Sequence, residues 1–411
     1  MTDHRAPAIT GGTPAGGYFS HGLTGFNPKP FFAAILFVAG SVMLLPVGNG
    51  SGPSAADPGR FGPAGQEGRC ILSYQRVMLR AFGGPEVLEV RQEPELPEPG
   101  PGEVRVRVLA TCANFTDVMI RKGQYPDVKD KPPFSPGYDM VGVVDKPGEG
   151  AARFRVGQRV ADLTVIGAYS EYLCLPEARL TAVPEGLDPA EAVCLVLSYV
   201  TAYQMLHRTA RIARGRRILV HGAAGAVGTA LLQLGRLLDL EMVGTASRRN
   251  HERVSGLGAA PIDYREPDWE ERARAVAGKG FDAAFDPIGG ESFKRSFRLL
   301  EPGGVLVAYG FQNALTGKGG SVPLDFLRLK VRDLLPNGRS TAFYSIEALR
   351  KKHPDWFTED LTQLFDLLRE GGIRPEIASR MPLAEARKAH ELIEKGGPQG
   401  KIVLDVAGSA L

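Results

Sequence analysis

Apolar and charged residues alternate strictly where the regular part of the chain begins. Glu103-Val104-Arg105-Val106-Arg107-Val108 puts every valine on one side of an extended backbone, which predicts a half-buried strand. Shorter apolar runs over residues 75–79, 87–90, 140–144, 159–163 and 169–175 predict further strands separated by glycine turns. The turn Gly83-Gly84-Pro85 joins the first two, and a Pro-rich connector over 94–102 leads to the alternating strand. This spacing predicts a compact β-rich domain with partly barrel-like character.

Near Ala190 the period changes. Ile218-Leu219-Val220-His221 is a continuous run of the kind buried in parallel sheets. It turns through Gly222-Ala223-Ala224-Gly225 into a helix whose Val227, Leu231, Leu234 and Leu238 share one face. Glu241-Met242-Val243-Gly244-Thr245 is the next strand and completes a βαβ unit. Runs over 281–286 and 304–310 continue the alternation, so this half is a doubly wound α/β layer. The tail from Thr341 is mixed and ends in a helix over 383–394 and a strand over 401–406. No internal repeat is visible.

The first 75 residues have a different composition, with 14 Gly and 8 Pro, which is the composition of a disordered extension. Within them, residues 31–45 form an apolar run closed by Pro46, short for a spanning helix but sufficient for a signal-peptide core or a marginal anchor. Arg5 and Lys29 precede the run, and the next charges are Asp57 and Arg60. An anchor in that orientation would export the rest of the chain. The reading that conflicts least with the chemistry below is an upstream extension, with the folded protein starting between Leu72 and Met78. A membrane anchor through 31–45 is the alternative.

A net charge of +3 over 411 residues does not argue for nucleic acid or a membrane surface, and no basic stripe with interleaved aromatics occurs. The cysteines Cys70, Cys112, Cys174 and Cys194 are scattered, with no Cys-x-x-Cys pair, so neither a zinc lobe nor a disulfide framework is predicted. Reduced thiols fit a cytoplasmic protein.

The chemistry concentrates at the turn after Val220. A pyrophosphate requires bare backbone N–H groups at a helix N-terminus. Ala223, Ala224, Gly225, Ala226, Val227 and Gly228 supply them, with Ala223 in place of the usual first glycine. An NAD site ends the second strand in Asp or Glu, which binds the ribose 2′-hydroxyl. Here Ser247, Arg248 and Arg249 occupy that end. A hydroxyl and guanidinium groups bind a 2′-phosphate that a carboxylate would repel, which predicts NADPH.

Five motifs occur in the order of one family: Phe82-Gly83-Gly84-Pro85-Glu86-Val87-Leu88, Asn114-Phe115-Thr116-Asp117 with Gly123-Gln124-Tyr125-Pro126, Pro136-Gly137-Tyr138-Asp139, the turn around Gly225, and Gly400-Lys401-Ile402-Val403-Leu404. Residues 75–411 resemble the medium-chain dehydrogenase/reductase superfamily, specifically its zinc-free quinone oxidoreductase (zeta-crystallin-like) branch. The resemblance implies an α/β fold, a GroES-like β-rich catalytic domain with an inserted Rossmann domain. The expected divisions are the extension over 1–74, the catalytic domain over 75–200, the Rossmann NADPH-binding domain over 201–340, and a return segment of the catalytic domain over 341–411. Zinc relatives place Cys where Asn114 stands and Gly-His-Glu where Gly137-Tyr138-Asp139 stands. Asn and Tyr are poor zinc ligands, so no metal is expected and the chemistry is reductive hydride transfer.

The resemblance also assigns site residues. Reducing a quinone or enone leaves charge on oxygen or carbon, so a proton donor helps. Tyr125 matches the tyrosine thought to donate in related enoyl reductases, and Asn114 is expected to orient the substrate. A plain turn at Tyr125 and a helix cap at Asn114 remain as bland alternatives. Thr201 matches a threonine near the nicotinamide, and Tyr264 one that packs near the 2′-phosphate. Lys401 matches a basic residue reaching back to the cofactor, Gly310 is expected among the cofactor-binding residues, and Asp286-Pro287-Ile288-Gly289-Gly290 closes a strand beside the cofactor crevice. His221 reads as buried scaffold. The leading function is NADPH-dependent reduction of a small-molecule quinone or enone. A 2-enoyl thioester reductase and a non-catalytic NADPH-binding protein are the alternatives, and a homodimer is the expected partner state.

Overall fold

The computed structural model describes residues 73–315, 317, 321–334, 336–396 and 399–406. The apolar run over 31–45 and Cys70 lie outside them. Two antiparallel strands, β1 (Tyr74–Leu79) and β2 (Leu88–Glu93), open the described chain. There follow β3 (Glu103–Ala113), β4 (Met140–Pro147), β5 (Arg159–Asp162), β6 (Tyr172–Pro176) and β7 (Thr181–Ala182). The chain then builds a second sheet from β8 (Arg217–His221), β9 (Glu241–Thr245), β10 (Ala259–Ile262), β11 (Phe281–Asp286), β12 (Leu300–Ala308) and β13 (Ser340–Phe343). It returns to the first with β14 (Ile377–Pro382) and β15 (Lys401–Asp405).

The six-stranded sheet has the order β10-β9-β8-β11-β12-β13, with every neighbouring pair parallel. Its strand order reverses between β8 and β11, and in open parallel sheets ligands bind at such a switch point, beyond the strand C-termini. That point is the turn after His221. His221 is buried there as scaffold, with Nδ1 3.0 Å from Thr245 Oγ1 and Nε2 2.9 Å from Ser296 Oγ.

The other sheet runs β14-β15-β3-β4-β5-β7, with β6 also on β3. β15 pairs antiparallel with β3, Ile402 opposite Ala113, so the next step of the register brings Lys401 opposite Asn114. On the other flank, β4 pairs with β3 through Val141 opposite Ala110, which brings Asp139 beside Cys112. Three strand ends therefore converge on one point. The alternation of β3 stops at Leu109 because Ala110, Thr111, Cys112 and Ala113 are all buried, on both faces, between the sheet and the helix Pro189–Cys194.

Candidate active site and nucleotide cleft

The turn after β8 is built for close backbone approach. Gly222 takes φ +64°, a conformation that side chains rarely adopt, so Gly222 makes the tight turn. Ala223, in the place of the usual first glycine, is expected from the sequence to present a bare amide to the pyrophosphate. It is instead fully buried, and its N–H donates to Thr245 O (3.1 Å), so it offers no amide to a ligand. Gly225 precedes the helix Ala226–Leu237 as its N-cap, and the first-turn amides of Ala226, Val227 and Gly228 have no carbonyl four residues back within the helix. A Cβ on Gly228 would lie 2.3 Å from Gly222 O and 2.7 Å from Ala223 Cα. Only a glycine lets the helix pack this close under the turn. Gly310 plays a similar part after β12, where a Cβ would come 2.7 Å from Pro287 O.

At the end of β9, Arg248 and Arg249 are exposed and Ser247 is half-buried. Asn250 Nδ2 donates to Ser247 Oγ (3.2 Å). Tyr264 is exposed, with the Arg265 guanidinium 5.9 Å from its ring centroid. Sequence reasoning missed Arg265 and its effect. It grips Asp263 through Nε (3.0 Å) and NH2 (2.8 Å), and the Arg248 N–H donates to the same carboxylate (3.1 Å). These bonds hold the Asp263 carboxyl far below the usual carboxylate range. Asp263 is thus already neutralised by a cation, and the other acid at this end, Glu266, lies 3.8 Å from Arg248 NH1 and is paired with Arg272.

The second centre lies where β15, β3 and β4 converge. Asn114 is the N-cap of the helix Phe115–Arg121, and its main-chain N–H donates to Asp117 Oδ2 (2.9 Å). Its side chain turns inward: Oδ1 accepts from Lys401 Nζ, and Nδ2 donates to Asp139 Oδ2 (3.1 Å). Lys401 Nζ also lies 3.4 Å from Ser198 Oγ. Burial works against the Lys401 charge, but the buried acids and thiols around it, Asp139 and Cys112 among them, outweigh this and raise its pKa. Asn114 therefore caps a helix and holds Lys401, and its side chain is not free to orient a substrate directly.

Tyr125 stands apart from this cluster. Its hydroxyl is 2.7 Å from that of Tyr138, with the rings edge to face, and it borders a cavity of about 230 Å³ lined also by Phe82, Ile120 and Val128. Burial raises the pKa of both phenols, so both keep their protons and can donate. Thr201 is buried, and three residues on along the same helical run Gln204 Oε1 accepts from the Tyr344 phenol (2.8 Å). The structure thus joins Asn114, Lys401 and Ser198 in one cluster. A cleft between the lobes carries Ser198, Ala226, Thr229, Gly400 and Lys401, while Tyr125 opens to a separate cavity.

These donors do not fit a zinc ion. Asn114 and Asp139 are bonded to each other, the Tyr138 hydroxyl is bonded to Tyr125, and the Lys401 ammonium is already seated against Asn114. A divalent cation would meet a fixed positive charge. Among the described residues no group of three His, Cys, Asp or Glu side chains is arranged to hold a metal.

A doubly wound nucleotide sheet inserted into a β-rich catalytic lobe defines a nicotinamide-dependent oxidoreductase of the medium-chain type. The alcohol dehydrogenase GroES-like domain family matches residues 100–185, and the family described as zinc-binding dehydrogenase matches residues 257–404. The chain belongs to the medium-chain dehydrogenase/reductase superfamily, in its zinc-free quinone oxidoreductase branch, and is an enzyme of the medium-chain reductase type. It is 34% identical to a quinone oxidoreductase of Pseudomonas aeruginosa, over 80% of this chain and 99% of that one. It is 33% identical to the synaptic vesicle membrane protein VAT-1 homolog of Rattus norvegicus, over 80% of this chain and 83% of that one. A mycobacterial protein solved in complex with NADPH superposes with a TM-score of 0.71 at 28% identity, covering 81% of this chain and 100% of that one. Among the described residues no helix is long and apolar enough to cross a membrane.

Proposed function

We propose that the protein is a cytoplasmic, NADPH-dependent, zinc-independent oxidoreductase that delivers a hydride to a quinone or another conjugated carbonyl. The observation that carries the cofactor assignment is the strand end of β9. Ser247, Arg248 and Arg249 stand there with Arg265, and the neighbouring Asp263 is bound by Arg265 and the Arg248 amide. Such an end attracts a 2′-phosphate. The diphosphate would rest on the amides of Ala224, Ala226, Val227 and Gly228; the Gly225 N–H already donates to Gly222 O (2.8 Å), so Gly225, like Ala223, shapes the turn without offering its amide. Tyr264 would flank the 2′-phosphate, Gly310 would border the crevice, and Thr201 would lie near the nicotinamide.

When bound, the reduced nicotinamide supplies the hydride. For an acceptor reaching from the nucleotide cleft into the Tyr125 cavity, Tyr125 would donate a hydrogen bond, and finally a proton that solvent restores, to the acceptor oxygen, and Tyr138 behind it fixes the hydroxyl. Lys401, held by Asn114, presents a fixed positive charge to the reacting end of the cleft, so Asn114 acts as a positioning residue. A cavity of about 230 Å³ beside Tyr125 is below the range of drug-sized pockets and suits a small acceptor. A homodimer extends the reading. Helix Val322–Asp333 exposes Leu324, Leu327 and Val331 beside the sheet's edge strand β13, a surface for a second copy of the chain.

The test measures oxidation of NADPH against NADH with 1,4-benzoquinone, 9,10-phenanthrenequinone and a crotonyl thioester. Replacing Arg248 and Arg249 with Ala should raise the NADPH KM at least tenfold, about 1.4 kcal/mol of binding, and leave the NADH KM within twofold. Equal changes for both cofactors would refute NADPH selection at this strand end. Turnover of the thioester alone would move the substrate class to 2-enoyl thioesters.

A further inference from the structure

The ion pair between Arg253 and Glu376 lies in the nucleotide cleft but is not part of the turn that builds it. Arg253 belongs to the short helix His251–Gly256, and Glu376 immediately precedes β14 of the other lobe. Both line the cleft with Ala226, Thr229, Gly400 and Lys401. Arg253 is pinned from below: NH1 donates to Ala224 O (2.9 Å) and NH2 to Thr229 Oγ1 (3.0 Å). Its Nε is buried and has no hydrogen-bond partner. The main chain of Glu376 is fixed too, because its carbonyl accepts from the Lys401 N–H (2.7 Å). Its side chain is less confined, 35% exposed against 12% for Arg253.

We propose that Arg253 is a diphosphate-binding residue and that Glu376 occupies it until a dinucleotide arrives. The inference rests on the dinucleotide reading of the cleft given above. A diphosphate on the amides of Ala226 and Val227 enters a cleft that already holds the Glu376 carboxylate, and the two anions repel. Arg253 is anchored through Ala224 and Thr229 and stays in place, whereas Glu376 can swing its carboxylate toward solvent. The vacated guanidinium edge then meets a phosphate oxygen in a charge-assisted bond. Glu376 thus competes with the ligand, and the pair links the two lobes while the cleft is empty.

The full-length protein is titrated with NADPH, NADH and ADP-ribose, the last of which keeps the diphosphate without the nicotinamide or the 2′-phosphate. Glu376→Gln should tighten all three by about three- to tenfold, and Arg253→Gln should weaken all three at least tenfold. Arg248→Ala should weaken NADPH alone, which separates diphosphate from 2′-phosphate recognition. If the wild type binds NADPH and neither Glu376→Gln nor Arg253→Gln changes ADP-ribose binding, the latch is overturned while the cofactor reading stands. If the wild type binds none of the three ligands, both are overturned. A lower melting temperature for Arg253→Gln with unchanged ADP-ribose affinity would mark the arginine as purely structural and would also overturn the proposal.

Discussion

Asp117 is fully buried behind the site, with Oδ2 on the Asn114 amide and Oδ1 lacking a hydrogen-bond partner. Burial, and after it the Asp139 carboxylate nearby, pushes its carboxyl up to about 8 from an ordinary 3.8. Between those values the folded chain holds a proton that the unfolded chain has lost. The stability this group contributes is complete below pH 4 and drains away as pH rises through 8. Asp117→Asn keeps a neutral acceptor for the Asn114 amide. It should therefore gain on the order of 4 kcal/mol on the wild type between pH 5 and pH 9, measured by urea unfolding at both. A difference that stays constant with pH would show that Asp117 titrates normally. The sequence marked Asn114 and Lys401 through their motifs, but not that they bond to each other. That pairing depends on strand register, and the residues are 287 positions apart. Arg253, Glu376 and Arg265 gave no sequence signal, since each is an ordinary polar residue until its partner is placed.

Strands and helices were more legible than single contacts. The run from β8 through the helix Ala226–Leu237 to β9 follows the apolar pattern closely, because a parallel strand buried on both faces and a one-faced helix leave clear periodicities. β6 is shorter than its apolar run, starting at Tyr172 rather than 169, since the Tyr169 N–H is spent on Pro136 O (2.9 Å) in the segment leading to β4. β2 begins at Leu88 because Pro85–Val87 winds into a 3-10 turn. At this scale the prediction concerns Gly228. Gly228→Ala would force the added methyl into Gly222 O and Ala223 Cα, both backbone atoms that have nowhere to move. A loss of about 1–3 kcal/mol in stability and a more than tenfold fall in NADPH affinity are expected, read by thermal unfolding and fluorescence titration. Wild-type affinity in that variant would place the diphosphate elsewhere.

For the molecule as a whole, the nucleotide sheet has an open edge at β13. Beside it Leu327 is 60% exposed and Val331 50%, with Phe343 of the strand itself 39%. Unpaired strand edges and apolar stripes favour association, and pairing across a two-fold axis would cover both at once. Light scattering on the eluting protein should give the mass of a dimer, and Leu327→Glu should shift it to the monomer with little change in melting temperature. A wild-type chain that stays monomeric at micromolar concentration would rule this surface out. The division into a β-rich lobe and a nucleotide lobe was readable from the change of period near Ala190. The return of the chain to the first lobe was readable only through the family's order of motifs, because a single strand such as β15 has no local mark of its partner.

The strand that carries Lys401 has a further consequence, for the order in which a newly made chain takes shape. The strands of the nucleotide lobe all lie between Arg217 and Phe343, so that lobe can close while later residues are still being synthesised. The β-rich lobe cannot, since β3 waits for β15 to cover its far end. A nascent intermediate with one finished half and one bare, apolar strand edge follows from this topology. That intermediate is the species that chaperones and proteases would meet first, and the long loop closed by β15 makes its completion the slow step.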